Sequence, residues 1–174
     1  MQSISQEHYC GPEYASKEPY PEVVVREPNE HYARLLMEDY SGKDSEFTAA
    51  TQYIYHHFVS AREKEAATAL EKIAIVEMMH MEKLADAIIQ LGGDPTYKQG
   101  CDKSWTAENV AYGETLLQRL HMNLASEYGA IHNYRSHIRQ ISDPCIRALL
   151  ARIIKDEEIH ICRLQELIEK YSCR

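Results

Sequence analysis

Glu77-Met78-Met79-His80 and Glu157-Glu158-Ile159-His160 are the two stretches on which the reading of this chain turns. In an α-helix, residues three apart lie about 60° from eclipsing, so a Glu and a His so spaced can reach the same metal ion. Each pair interrupts an apolar stripe. Leu70, Ile73, Met81, Leu84 and Ile88 flank the first pair at −7, −4, +4, +7 and +11 from Glu77. Leu150, Ile153, Ile161, Leu164 and Ile168 flank the second at the same offsets from Glu157. Both Glu residues therefore stand in a core-facing stripe, where a carboxylate is costly unless something compensates its charge.

Working outward, the punctuation of the chain divides it into four long helical segments. Residues 1–28 hold Pro12, Pro19, Pro21 and Pro28 and no helical stripe, which predicts an extended arm, with Glu22-Val23-Val24-Val25 a candidate short pairing segment. A bundle domain is expected over residues 29–174. Its first helix starts at Asn29, a good N-cap, is broken or bent at Gly42 before Ser45, and runs to about Arg62. The second runs from about Lys64 to Leu91 and stops at Gly92-Gly93-Asp94-Pro95. The third spans about Glu114 to Ile141, and the fourth starts at Ser142-Asp143-Pro144 and reaches about Lys170. Short turns make each consecutive pair an antiparallel hairpin. The roughly 20-residue segment between the second and third helices can span about 60 Å, against a helix of about 40 Å, so it can cross the length of a bundle.

The hairpins repeat one another. A shift of 81 residues pairs Ser45-Glu46-Phe47 with Ser126-Glu127-Tyr128, Tyr53 with Tyr134 and His56 with His137. A shift of 80 superposes the two E-x-x-H helices. The expected fold is thus all-α, an antiparallel four-helix bundle of two repeated hairpins with an approximate two-fold axis.

Composition narrows the partners. The formal charge is −8, which argues against nucleic acid or an anionic membrane and mildly favours cations. No apolar run reaches the roughly 18 residues of a membrane span, and Glu7, His8 and Tyr9 stand where a signal peptide would be apolar, so the expected location is cytoplasmic. Cys10, Cys101, Cys145, Cys162 and Cys173 are odd in number and form no C-x-x-C pair, which fits small reduced thiols better than a disulfide framework or a zinc or rubredoxin-type centre.

Heights along the bundle select the site. The midpoint of Glu46 and Glu77 falls at residues 61 and 62, and that of Glu127 and Glu157 at residue 142, each at a predicted turn. Glu46, Glu77, His80, Glu127, Glu157 and His160 can therefore converge at mid-bundle. Four clustered carboxylates could not all ionise unaided. Two divalent cations would cancel them, and oxygen and imidazole donors with room for bridging carboxylates suit iron or manganese. Tyr53 and Tyr134, seven residues after Glu46 and Glu127 and within about 20° of the same face, lean back toward them as candidate redox or supporting groups. Asp156 is placed to accept the free ring N–H of a ligand histidine across the bundle; its counterpart is Val76, so the two metal positions are expected to differ. His56 and His137 lie about 15 Å along their helices from the Glu level, too far to ligate.

One Glu on each of two helices and E-x-x-H on each of the other two resembles the ferritin-like dimetal carboxylate proteins over about residues 30–170. Asp156-Glu157-Glu158 with His160 looks like the fourth-helix motif of bacterioferritin, and the hairpin repeat also resembles rubrerythrin and manganese catalase. The chain departs from rubrerythrin at Ala130, where that family has a further Glu, and in lacking rubredoxin cysteines. Met78 follows Glu77 as the haem-binding Met of bacterioferritin follows its ligand, but one residue turns about 100°, so it points away from the site and reads as a packing Met. The resemblance implies an oxidoreductase with two iron or manganese ions, acting on hydrogen peroxide or dioxygen as a ferroxidase or peroxidase. A catalase-like manganese centre and a non-catalytic storage or structural bundle are the alternatives. The partners it implies are the oxidant, an external electron donor and further copies of the chain in a homodimer or larger oligomer.

Overall fold

Helix starts in this protein are set by side chains that satisfy the first free amides. In the computed structural model, which describes residues 14–99 and 103–173, Asn29 accepts from the Tyr32 amide at 3.0 Å and opens α1 (Glu30–Ser41). Ser45 accepts from the Thr48 amide at 3.2 Å and opens α2 (Glu46–Val59). α3 (Lys64–Gln90) follows a short turn; α4 (Leu116–Gln140) starts at a Thr115–Gln118 capping box, and α5 (Pro144–Ser172) at Asp143 with Pro144 in the first turn.

The expected first helix is thus two helices. A Cβ on Gly42 would lie 2.4 Å from the Glu38 carbonyl oxygen, so glycine lets the chain leave α1 there, and Ser45 then starts α2 afresh with Glu46 as its first residue. At the far end of the hairpin, Gly92 at φ 86° supplies the left-handed residue that ends α3. Between α3 and α4 run a two-stranded antiparallel ladder, β1 (Lys98–Gln99) with β2 (Lys103–Ser104), and a 3-10 turn at Ala107–Asn109. This crossover is anchored by aromatic packing: Tyr97 stacks on Phe47 at 4.1 Å between centroids, and the Trp105 indole donates to Thr48 Oγ1 at 2.9 Å.

The partners down the bundle give its directions. Asp39 meets His137, Glu46 meets Tyr134, Tyr53 meets Glu127 and His56 meets Asn123, so α1 and α2 together run antiparallel to α4. Glu65 with Lys170 and His80 with Asp156 make α3 and α5 antiparallel as well. The result is the all-α antiparallel bundle of two hairpins expected from the repeats. Its core comes in two buried clusters. One joins Leu36, Leu84, Ile88, Ile146, Leu150 and Ile153, and the other joins Tyr53, Leu70, Ile73, Leu120 and Leu164.

The arm does not pair as a strand at residues 22–25. Instead the Gln90 side chain accepts from the Val25 amide and donates to the Val23 carbonyl, both at 3.0 Å, doing for three residues what a neighbouring strand would do. Among the described residues no helix is long and apolar enough to cross a membrane. Cys145 and Cys173 are free thiols, but Cys162 is disulfide-bonded, which corrects the expectation of reduced cysteines. Cys10 and Cys101 lie outside the described residues.

Because Ser45 both caps α2 and sets the position of Glu46, replacing it by Ala should cost about 1 kcal/mol. Urea unfolding of Ser45→Ala against the parent measures this; an unchanged midpoint would mean the break at Gly42 is held by other contacts.

Candidate metal centre

Between the two apolar clusters lies a polar one. Glu46, Glu77, His80, Glu127, Glu157 and His160 are all buried, none more than 2% exposed. They form two overlapping groups whose potential ligand atoms lie within 4.8 Å of one another: Glu46, Glu77, His80 and Glu157 in one, Glu77, Glu127, Glu157 and His160 in the other. Glu77 and Glu157 belong to both. His80 Nδ1 stands 3.2 Å from Glu46 Oε2 and Glu77 Oε2 and 3.3 Å from Glu157 Oε1. His160 Nδ1 stands 3.0 Å from Glu157 Oε2, 3.1 Å from Glu77 Oε1 and 3.6 Å from Glu127 Oε2. All six residues singled out by the stripes and turns are thus brought together.

The tyrosines depart from expectation in one respect. Each hydroxyl donates to the carboxylate of the other half: Tyr53 to Glu127 Oε1 and Tyr134 to Glu46 Oε1. Helical side chains lean toward their own N-terminus, so Glu46 reaches away from Tyr53, whereas Glu127 on the antiparallel α4 reaches toward it. Asp156 Oδ2 lies 3.1 Å from Nε2 of His80, the histidine across the bundle. Met78 is 53% exposed and turned away from the cluster. It lines a surface groove with Phe47, Ile54, Ile75, Met81 and Tyr97 rather than packing in the core. His56 and His137 are satisfied elsewhere, by Asn123 and the Ala111 carbonyl, and by Asp39 at 2.8 Å.

The charge state of the cluster follows from burial and mutual repulsion. Burial, with the charges of Glu157 and Glu77, pushes the Glu46 carboxyl well above the ordinary carboxylate range, and burial with the same two neighbours does so for Glu127. Burial also acts on Glu157 and Glu77, but the two histidines hold Glu157 below that range, and Glu77 is held below it, against burial and the charge of Glu157, by a hydrogen bond with Glu46 and by His160. His80 and His160 resist the effect of burial because the carboxylates around them hold their protons, well above the usual histidine value. Without metal the cluster therefore favours protons on the outer carboxylates and on the histidines, which offset part of the charge that divalent cations would neutralise.

Two further observations fit a cation pair. Glu77 Oε1 and Glu157 Oε1 are buried and make no hydrogen bond, although each has a histidine nitrogen close by. The donors are all carboxylate oxygens and imidazole nitrogens, a set that suits iron or manganese. A narrow pocket reaches the cluster at the break between α1 and α2, past Lys43, Asp44, Ala49, Ser126 and Ala130. Its volume of about 10 Å³ leaves room for about one water-sized molecule. The small side chain of Ala130 helps keep it open.

The sequence predicts the arm but not its contacts with the site. Ser16 and Tyr20 donate to Asp156, and Tyr14 offers its carbonyl to His160. In the sequence the one signal is an Arg four residues before Asp156; in the fold Arg152 is only 5% exposed, and a buried guanidinium needs several acceptors, which the arm supplies.

A four-helix bundle whose repeated hairpins each deliver one lone Glu and one E-x-x-H pair to a shared buried cluster is of the ferritin-like class. The ferritin-like domain pattern matches residues 44–173, and the chain belongs to that family. It is 32% identical over 143 residues to bacterioferritin BfrA of Mycobacterium tuberculosis, covering 78% of this chain and 82% of that one. It is 26% identical over 170 residues to a probable manganese catalase of Clostridium acetobutylicum, covering 86% of this chain and 75% of that one. The crystal structure of the manganese catalase KatB from Anabaena shares the fold at a TM-score of 0.83 and 24% identity, over 90% of this chain and 80% of that one.

Proposed function

We propose that Glu46, Glu77, His80, Glu127, Glu157 and His160 hold two divalent metal ions and that the centre consumes hydrogen peroxide. The observation that carries this reading is the overlap of the donor groups. One pair of carboxylates can serve two ions, while each histidine and each outer carboxylate serves one. Manganese or iron ions bound there would supply two-electron redox chemistry toward a peroxide. The chain's part is to bind, orient and enclose. The phenols of Tyr134 and Tyr53 hold the outer carboxylates of Glu46 and Glu127. The partners of the two Nε2 atoms turn both Nδ1 atoms inward. A pocket this narrow beside the cluster favours a small oxidant over an organic hydroperoxide.

The manganese reading is disproportionation, two peroxides giving one dioxygen and two waters with no added donor. It is supported by the likeness to the Clostridium protein, which takes in more of this chain than the bacterioferritin match does. The iron reading is oxidation of ferrous iron or of an external donor, and the 32% identity to a bacterioferritin supports it. Samples loaded separately with manganese and iron, followed for peroxide loss and oxygen release, decide between them. Oxygen without a donor from the manganese form is the expected result. If neither form consumes peroxide faster than chelated protein, the enzymatic reading gives way to a storage or structural one.

A further inference from the structure

We propose that the N-terminal arm, residues 14–20, is a positioning element of the metal centre, holding the rings of both candidate ligand histidines from outside the bundle. This rests on the two-metal reading and extends it to residues that no helix of the bundle contributes. For His160 the contact is direct: Nε2 lies 2.9 Å from the backbone carbonyl of Tyr14. A carbonyl only accepts, so Nε2 carries the proton and Nδ1 is the nitrogen left facing Glu157 and Glu77. Tyr14 is itself held by the guanidinium of Arg163, 5.4 Å from its ring centroid.

For His80 the contact is relayed. Its Nε2 donates to Asp156 Oδ2, and the arm grips the same carboxylate twice, the Ser16 amide donating to Oδ1 at 2.6 Å and the Tyr20 hydroxyl to Oδ2 at 2.5 Å. Arg152 donates to Asp156 Oδ1 at 2.7 Å and ties the arm down through the carbonyls of Ser16 and Glu18, at 2.8 and 2.7 Å. Its guanidinium lies 4.3 Å from the centre of the Tyr20 ring.

The internal repeat explains why the arm is needed. By the two-fold relation, the residue that should serve His160 as Asp156 serves His80 is Val76, which accepts nothing. The Tyr14 carbonyl takes that place. The bundle's own symmetry leaves one histidine without a partner, and the arm supplies it while reinforcing the other. Partners of this kind fix ring orientation and ligand basicity, and their loss typically lowers metal affinity by about 10- to 100-fold.

The test uses the full-length chain loaded with cobalt(II), whose paramagnetism moves the ring N–H protons of ligand histidines out of the protein proton envelope. Wild type should bind two cobalt ions and show two such protons, both slow to exchange with D2O. Tyr20→Phe, which removes one hydroxyl and little volume, should speed exchange of one proton and weaken one ion by roughly 10-fold. Deleting residues 1–15, which takes the Tyr14 carbonyl away, should act on the other proton and the other ion. Circular dichroism of the metal-free variants should match wild type, which separates positioning from folding. If both variants bind two ions with wild-type affinity and exchange rates, the arm has no positioning role while the metal reading stands. If wild type binds no cobalt at the centre, the two-metal reading falls and this proposal with it.

Discussion

Replacing Glu77 by Ala should empty both metal positions, whereas replacing Glu46 by Ala should empty one. The difference comes from sharing. Glu77 and Glu157 each belong to both donor groups, while Glu46 and Glu127 each belong to one. Truncating Glu77 removes a carboxylate 3.2 Å from His80 and 3.1 Å from His160, so each remaining group loses an oxygen donor and a full charge. The loss of affinity should be on the order of 100-fold or more at both positions, exceeding that of an outer hydrogen-bond partner. Truncating Glu46 leaves Glu77, Glu127, Glu157 and His160 in place. Its cost falls on the His80 position and on Tyr134, whose buried hydroxyl loses its acceptor. Metal-to-protein ratios after equilibration with manganese and desalting distinguish the cases. Equal ratios for Glu77→Ala and Glu46→Ala would rule out shared carboxylates at the centre.

Much of this arrangement was legible in the sequence because helix geometry is periodic. The offsets about Glu77 and Glu157 place both in the core, and the distances to the two turns bring Glu46 and Glu127 to the same level. No side-chain contact has to be known for that. The contacts of Tyr53 and Tyr134 were only half legible. Spacing puts them on the right face, but which carboxylate each meets depends on the relative direction of two helices that are not neighbours in sequence. The expectation about Met78 went the same way. One turn of 100° places it off the cluster, while its exposure depends on which faces of α2 and α3 the rest of the chain leaves uncovered. The arm was the least legible part, because extended chain has no period to read. Its hydrogen bonds to Asp156, Arg152 and His160 are made largely by backbone groups, which every residue carries. The burial of Arg152, which the arm's carbonyls answer, follows from the packing and not from any pattern in the sequence.

Metal-free protein should melt well below the metal-loaded form at pH 7, and the gap should widen as pH rises and narrow as it falls. The sign follows from the direction of each shift. Glu46 and Glu127 have raised values in the folded state, so the fold holds protons there that the unfolded chain has released above about pH 4.3. His80 and His160 are raised too, so their stabilising contribution is full below about pH 6.5 and is lost as pH climbs toward their folded values. Each proton that the fold holds in excess lowers stability by about 1.4 kcal/mol per pH unit. Glu77 and Glu157, held low, act the other way, but only on acidification below the ordinary carboxylate value. The buried Asp39–His137 pair, with Asp39 pushed up to about 6 by burial, is common to both forms and largely cancels in the difference. In the loaded protein the cations take the place of these protons, so its melting temperature should stay nearly level from pH 6 to 9, while that of the chelated protein falls steadily. For the same reason, loading at pH 7 should release protons to the buffer, and apparent affinity should rise with pH. Calorimetric melts of both forms across this range, with metal titrations in buffers of different ionisation enthalpy, measure the two effects. Parallel melting curves together with no proton release would mean that the carboxylates do not meet around a shared pair of ions.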